Sequence, residues 1–300
     1  MDYQALYQSG ELLLRLREAY RWLASCDLCP HECGVNRIKG ERGVCGAGLK
    51  PKIASANVHK GEEPPISGSR GSGTVFFSGC SLQCVFCQNY PISQLGNGEE
   101  ITTRELAQRM LKLQRRGVHN INFVTPTHFL PQILAALWLA IPHGFSAPIV
   151  WNSSGYEKVD ALRLLDGVVS VYLPDMKYSD DVTADRLSSA TGYRACNRLA
   201  VSEMMRQVGH LVLDDAGIAN SGVIIRHLVL PGGLAGSRET LRWIADYLGT
   251  ETHISLMKQY FPAHQATEMP EINHKITDDE YEDVAELLEE FDFDNGWVQE

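Results

Sequence analysis

Seven of the eight cysteines fall in two tight clusters, and these carry most of the chemistry the sequence offers. Cys80-Ser-Leu-Gln-Cys84-Val-Phe-Cys87 places three thiols within eight residues. Three thiolates on one loop can reach three corners of a cubane 4Fe-4S cluster. No fourth cysteine follows at usable local spacing, so the fourth iron would stay open to a ligand from outside the protein. A zinc site completed by a distant residue, or a redox-active Cys-x-x-Cys, would use the same side chains. The loop directly follows an expected strand, where parallel barrels place their active sites, and that favours the cluster. The second set is Cys26-Asp-Leu-Cys29-Pro-His-Glu-Cys33, followed by Cys45 within Gly43-Val-Cys45-Gly-Ala-Gly48. It is a complete tetrahedral ligand set, and Gly34, Gly43 and Gly46 permit the tight turns of ligand loops. It suits structural zinc, with His31 as an alternative ligand, or an auxiliary iron–sulfur cluster; the spacing does not choose. So short a knuckle has no core of its own and needs its metal to fold. Cys196 stands alone and reads as a small buried apolar residue of a helix.

The elements around these cysteines follow from composition and pattern. The chain has 300 residues, 44% of them apolar, enough for one large domain or two smaller ones. A net charge of −10 repels phosphate backbones and anionic lipid, so neither nucleic acid nor membrane is an expected partner. Residues 1–10 are polar and resemble no signal peptide. The longest apolar run, 133–141, is too short to span a bilayer and is flanked by Pro131 and Pro142. Clustered cysteines without a secretory signal point to metal or redox chemistry in the cytoplasm rather than to disulfides.

Residues 1–73 read as an N-terminal helix, 11–23, followed by a Cys-rich metal-binding extension with irregular stretches at 26–48 and 61–73. From residue 74 short apolar runs at 74–78, 121–125, 148–152, 168–173, 223–230 and 253–257 alternate with helical patterns at 103–116, 129–140, 157–165, 181–190 with 197–213, and 238–248. Runs of this length suit strands covered on both faces. The alternation predicts right-handed βαβ units and an α/β fold, a partial (β/α)6 TIM-like barrel over 74–300 closed by an acidic helix at 278–291.

Cys-x-x-x-Cys-x-x-Cys with an aromatic residue, Phe86, before the last cysteine resembles the signature of the radical S-adenosylmethionine (SAM) superfamily. The resemblance runs from about Thr74 to about Pro262. Gln88-Asn89 and the N-terminal pattern are similar to proteins related to pyruvate formate-lyase-activating enzyme, in a branch described as activase homologues. The resemblance implies SAM bound at the open iron and a reducing partner of flavodoxin or ferredoxin type. It also implies cleavage of SAM to methionine and a 5'-deoxyadenosyl radical, which takes hydrogen from a substrate.

The same resemblance nominates residues for holding SAM. The superfamily's Gly-Gly-Glu-Pro, which meets the SAM amino group, is replaced here by Val124-Thr125-Pro126-Thr127-His128. No Glu is present, and oxygens of Thr125 and Thr127 with the turn's carbonyls are the candidates to replace it. His128 is a further lining residue, while Thr127 also reads as a helix N-cap. Asn152 and Ser154 lie in a segment similar to the family's Thr-Asn-Gly, facing the SAM carboxylate or ribose; an ordinary turn is the alternative. Asp175-Met176-Lys177 resembles the activating enzymes' Asp-x-Lys motif beside SAM, and its two charged residues at i, i+2 share a side; a surface ion pair is the bland alternative. On the fifth strand His227 is the expected contact, with Arg226 as the alternative. Gln259 and Tyr260 are expected to line the substrate pocket.

The reading is a radical SAM oxidoreductase that abstracts hydrogen from a protein or peptide, as a glycyl-radical-enzyme activase would. A radical SAM enzyme acting on a small molecule is the second expectation. A non-catalytic iron–sulfur or zinc scaffold is the third; the missing Gly-Gly-Glu supports it, and SAM binding discriminates it.

Overall fold

The computed structural model describes residues 2–298. Its strands are β1 (Lys52–His59), β2 (Ser72–Phe77), β3 (Glu99–Glu100), β4 (Ile121–Val124), β5 (Ile149–Ser153), β6 (Val171–Pro174), β7 (Val212–Leu213), β8 (Ala219–Leu228), β9 (His253–Met257) and β10 (Gly296–Val298). They form one sheet in the order β10-β9-β8-β6-β5-β4-β2-β1-β3, with β7 paired to β8. Neighbours from β2 through β10 along this path are parallel, whereas β1 pairs antiparallel with β2, and β3 with β1. The sheet does not close: β3 and β10 are its two ends. It is the expected partial barrel.

Alternation along the strands separates two faces. Val75, Phe77, Phe123, Trp151, Tyr172, Val223 and Ile225 belong to the large core shared with residues of the helices Glu11–Arg21, Thr103–Arg115, Leu130–Ala140 and Tyr193–Val208. The inner face carries Val150, Val171, Leu173 and Ile224, which pack around Ile66. Because β1 runs antiparallel to β2, loop 60–71 lies at the N-terminal end of the parallel strands, and Ile66 plugs that end of the lumen. The opposite, C-terminal end remains as the mouth.

Strand β1 was not among the expected elements. Its sequence, Lys-Ile-Ala-Ser-Ala-Asn-Val-His, has no apolar run, and it sits near the sheet's edge with only Ile53 fully buried. The helical patterns also end earlier than periodicity suggests. The pattern at 197–213 is a helix over Tyr193–Val208 that stops at Gly209, whose φ of 69° leaves the helical region; residues 212–213 join β8 instead. The helix Thr103–Arg115 starts at a full capping box between Thr102 and Glu105.

Candidate active site at the barrel mouth

A cavity of about 440 Å³ opens at the C-terminal ends of the strands, a volume suited to a small ligand. Cys80, Cys84 and Cys87 form one wall, on the loop that leaves β2. Thr125, Asn152 and Ser154 come from the ends of β4 and β5, and Asp175, Lys177 and Arg226 from β6 and β8.

The three sulfurs are partnered as thiolates would be. Ser188 Oγ donates to Cys84 Sγ at 2.9 Å, the Leu82 amide to Cys80 Sγ at 3.3 Å, and Cys87 Sγ shares a hydrogen bond with Ser93 Oγ at 3.1 Å. Burial pushes the Cys80 thiol well up, and the neighbouring thiols add to it. Burial also raises Cys84, to about 11, against the opposing pull of Lys177 and Ser188. Thiols held protonated in this way ionise when positive charge arrives. A donor set of three sulfurs on one loop, Cys84 buried and Cys80 and Cys87 partly so, therefore fits an iron–sulfur centre. Among the described residues no three His, Cys, Asp or Glu side chains crowd closely enough to share one ion. Cubane ligands each take a different iron and have no need to crowd so closely.

Below the cysteines lies a charged network. Asp175 Oδ2 accepts from Lys177 Nζ at 2.6 Å and Oδ1 from Arg226 Nε at 2.8 Å, while Arg226 Nη2 donates to Asn152 Oδ1 at 2.7 Å. Burial works to raise the Asp175 carboxyl, but Arg226 and then Lys177 outweigh it and hold it below the usual range. Arg226 reaches the cavity because Ile224 and Arg226 share the inner face of β8. His227 points outward and is fully buried. Its Nδ1 donates to the Met176 carbonyl at 2.6 Å and its Nε2 accepts from Ser237 Oγ at 2.8 Å. Burial lowers its pKa to about 4, so the ring is neutral. Of the two residues nominated on this strand, the structure brings Arg226 to the site and not His227.

Residues 74–244 match the family model of the Radical SAM superfamily. The chain belongs to the radical SAM superfamily. An uncharacterized protein of Methanocaldococcus jannaschii is 34% identical over 94% of this chain and 79% of its own length. The pyruvate formate-lyase-activating enzyme of Clostridium pasteurianum is 25% identical over 65% of this chain and 77% of its own. Among solved structures, the FeFe-hydrogenase maturase HydG of Carboxydothermus hydrogenoformans aligns over 71% of this chain and 49% of its own, with a TM-score of 0.49 and 13% identity. A radical SAM methyltransferase from Sphaerobacter thermophilus aligns over 75% and 65%, with a TM-score of 0.48 and 17% identity. The chain thus spans about half to two thirds of these two solved chains. Among the described residues no helix is long and apolar enough to cross a membrane.

The turn that stands where radical SAM proteins often carry Gly-Gly-Glu-Pro is bent sharply. Thr125 has φ 54°, a left-handed conformation costing a β-branched residue about 1–3 kcal/mol, and it lines the cavity. The bend turns Thr127 and His128 away from the cavity. Thr127 does not cap the helix Leu130–Ala140; its Oγ1 donates instead to Glu157 Oε1 at 2.8 Å. Glu157 is a fully enclosed carboxylate that also accepts from Trp151 Nε1 at 2.9 Å and Ser153 Oγ at 2.6 Å. Burial raises its pKa and these three donors oppose the rise. It ties the β4 turn to β5. Nothing in the pattern of residue types marks it, since an acidic residue at the start of a helical pattern is ordinary. His128 Nε2 donates to the Ser78 carbonyl at 2.9 Å, and burial lowers its pKa to about 4.

Cys26, Cys29, Cys33 and Cys45 border a second, small cavity with His31 and His128. Burial pushes Cys29 up to about 12, with the thiols of Cys45, Cys33 and Cys26 adding to the rise. Gly43 lies tight against Cys33: a Cβ there would stand 2.7 Å from its Sγ. The knuckle grips the first cysteine loop. His31 Nε2 donates to the Ser81 carbonyl at 2.6 Å, and the buried Arg37 donates to Gly48 and His128 carbonyls. Gly79 permits the contact, because a Cβ there would stand 2.3 Å from the Cys45 carbonyl oxygen. Two further residues complete the picture of the main cavity. Gln259 lines it, whereas Tyr260 is buried with its hydroxyl on the Ile272 carbonyl. Glu62, from the plug loop, lines it as well; in the sequence it lay in a Pro- and Gly-rich stretch with no pattern to mark it.

Proposed function

We propose that Cys80, Cys84 and Cys87 hold a 4Fe-4S cluster whose open iron takes SAM, and that the protein removes hydrogen from a substrate admitted through the barrel mouth. The observation that carries this is the convergence of three sulfurs and the Asp175–Lys177–Arg226–Asn152 network on one cavity. When bound, the reduced cluster and SAM supply a 5'-deoxyadenosyl radical. The protein's own residues bind, orient and exclude water. Lys177 offers donors to a carboxylate, while Asp175 and the carbonyls around Thr125 offer acceptors to an ammonium, so the network suits a zwitterion. The Ile66 plug closes the far end of the lumen to solvent. Similarity to an enzyme named for activating pyruvate formate-lyase supports a polypeptide substrate and an activase-like oxidoreductase. The electron comes from a flavodoxin- or ferredoxin-type donor, in a cytoplasm that keeps the thiols reduced.

Anaerobically reconstituted protein given dithionite and SAM should form 5'-deoxyadenosine and methionine, slowly even without substrate. Fully reconstituted, reduced protein that leaves SAM intact would transfer the account to the scaffold reading, which the missing Gly-Gly-Glu supports.

The four N-terminal cysteines hold a second metal centre that braces residues 78–81, either an auxiliary iron–sulfur cluster or zinc, and zinc would draw the sulfurs closer together than they stand. Metal analysis should find either about one zinc or about four irons beyond the first cluster. Cys45→Ser should lose that metal and weaken retention of the first cluster. Folded, iron-loaded protein with four free thiols at these positions would refute the assignment.

A further inference from the structure

Beyond Arg226 and Gln259 the main cavity is joined by a chamber of about 300 Å³. Its polar wall is Glu62, Glu63 and Ser255, with Arg226 and Gln259 at the border to the main cavity, and its apolar wall includes Met257 and Trp297. The two glutamates are set there by the plug: Ile66, packed among Val150, Val171, Leu173 and Ile224, fixes how far loop 60–71 rises into the lumen.

Charge in this region does not balance locally. Three carboxylates, Asp175, Glu62 and Glu63, face two cations, Lys177 and Arg226, and both cations make their ion pairs with Asp175. Glu62 accepts a long bond, 3.3 Å, from Asn152 Nδ2, with the Asn122 amide as its other polar neighbour. Glu63 Oε1 accepts from Ser255 Oγ at 3.3 Å, and its Oε2 is buried with no partner. A second, independent sign lies on β4. Asn122 is fully buried on the same inward face as Val124, and its amide oxygen has no donor, while its amide nitrogen points to Glu62 at best over a long contact. It stands near enough to Glu62 to favour the ionised carboxylate. Buried acceptors left this bare are costly, and a buried amide oxygen without a donor marks a place where a polar group is missing. Burial raises the Glu62 carboxyl, with Arg226 and His59 opposing, as expected of an acid short of counter-charge.

We propose that this chamber binds the substrate by a cationic group on a short aliphatic stem, an alkylammonium or alkylguanidinium, held between Glu62 and Glu63 with the stem against Met257 and Trp297. The proposal rests on reading the adjoining cavity as the SAM site, with which this chamber shares Glu62, Arg226 and Gln259. The cation can belong to a small amine or to a basic side chain of a peptide.

Calorimetric titration of reconstituted, SAM-loaded protein with 1,4-diaminobutane, agmatine and 1,4-butanediol tests it. The amine and the guanidine should bind and the diol should not. Glu63→Gln should weaken amine binding about tenfold or more, and Glu63→Asp, which keeps the charge, should recover part of it. A lysine-containing pentapeptide that binds more tightly than the free amines would place the cation on a polypeptide and support the same site. Diamine and diol binding alike, or neither binding, would overturn the proposal. SAM binding measured on the same samples separates the two readings: SAM without amine overturns this one alone, and amine without SAM overturns the other.

Discussion

Cys84→Ala should reduce 5'-deoxyadenosine formation by at least about a thousandfold and strip the protein of about four irons. Cys84 is the buried member of the loop's three cysteines, its sulfur held by Ser188 and facing Lys177. Two remaining thiolates cannot retain a cubane against chelators or oxygen. Anaerobic reconstitution followed by iron analysis and product assay checks this, with Cys196→Ala as the control. Cys196 sits half-buried in the helix Tyr193–Val208 and lines neither cysteine cavity, so that variant should keep both iron and activity. Full iron content and undiminished product in Cys84→Ala would remove the loop from the chemistry.

The second large effect is expected at Asp175. Its carboxylate is the common partner of Lys177 and Arg226, and all three side chains are less than a fifth exposed. Asp175→Asn removes the carboxylate that both cations pair with and leaves Glu62 and Glu63 as the more distant negative charges near Arg226. Removing one member of such a buried set costs about 3–5 kcal/mol, and SAM cleavage should fall by roughly a hundredfold or more as the network loses its geometry. Adding Lys177→Met to Asp175→Asn should return part of the stability, because one uncompensated charge is gone. The pH dependence has a definite sign. The folded-state pKa of Asp175 is depressed, so its contribution to stability is present above the ordinary Asp range and is lost only as pH falls through the lower folded value. Asp175→Asn should flatten that acid limb in denaturant titrations. A variant as stable and as acid-sensitive as wild type would show that the network is incidental.

How far the site could be read from the sequence depended on which contacts are local. Six of the parallel strands were visible because each is a short apolar run, whereas β10, a largely exposed three-residue edge strand, was not; the cysteine loop was visible because its spacing is compact. Thr125, Asn152, Ser154, Asp175 and Lys177 could be nominated from the family resemblance together with their position at strand ends, and they line one cavity. Between Arg226 and His227 the sequence favours His227, and the structure turns Arg226 inward instead: alternation requires one of them to face the lumen, but the phase of β8 is set by Ile224 packing on the plug. Thr127 and His128 were misjudged because the bend at Thr125 turns the chain under the strand end, and a left-handed threonine leaves no trace in a pattern of residue types. Glu62 and Glu63 reach the lumen only through the antiparallel pairing of β1 with β2, a long-range contact made by a half-polar edge segment. The brace between Cys45 and Gly79 was hidden for the same reason: it joins segments far apart in the chain, and nothing local in either announces the other.

The central claim is that SAM ligates the iron left open by Cys80, Cys84 and Cys87. Electron paramagnetic resonance of the dithionite-reduced protein, with and without SAM isotopically labelled at its amino nitrogen and carboxylate oxygens, tests it most directly. The account predicts that SAM changes the cluster's spectrum and that the labelled nitrogen and oxygen show hyperfine coupling to it, with Cys84→Ala lacking the signal altogether. A reduced cluster whose spectrum is unchanged by saturating SAM and shows no coupling to either label would contradict it.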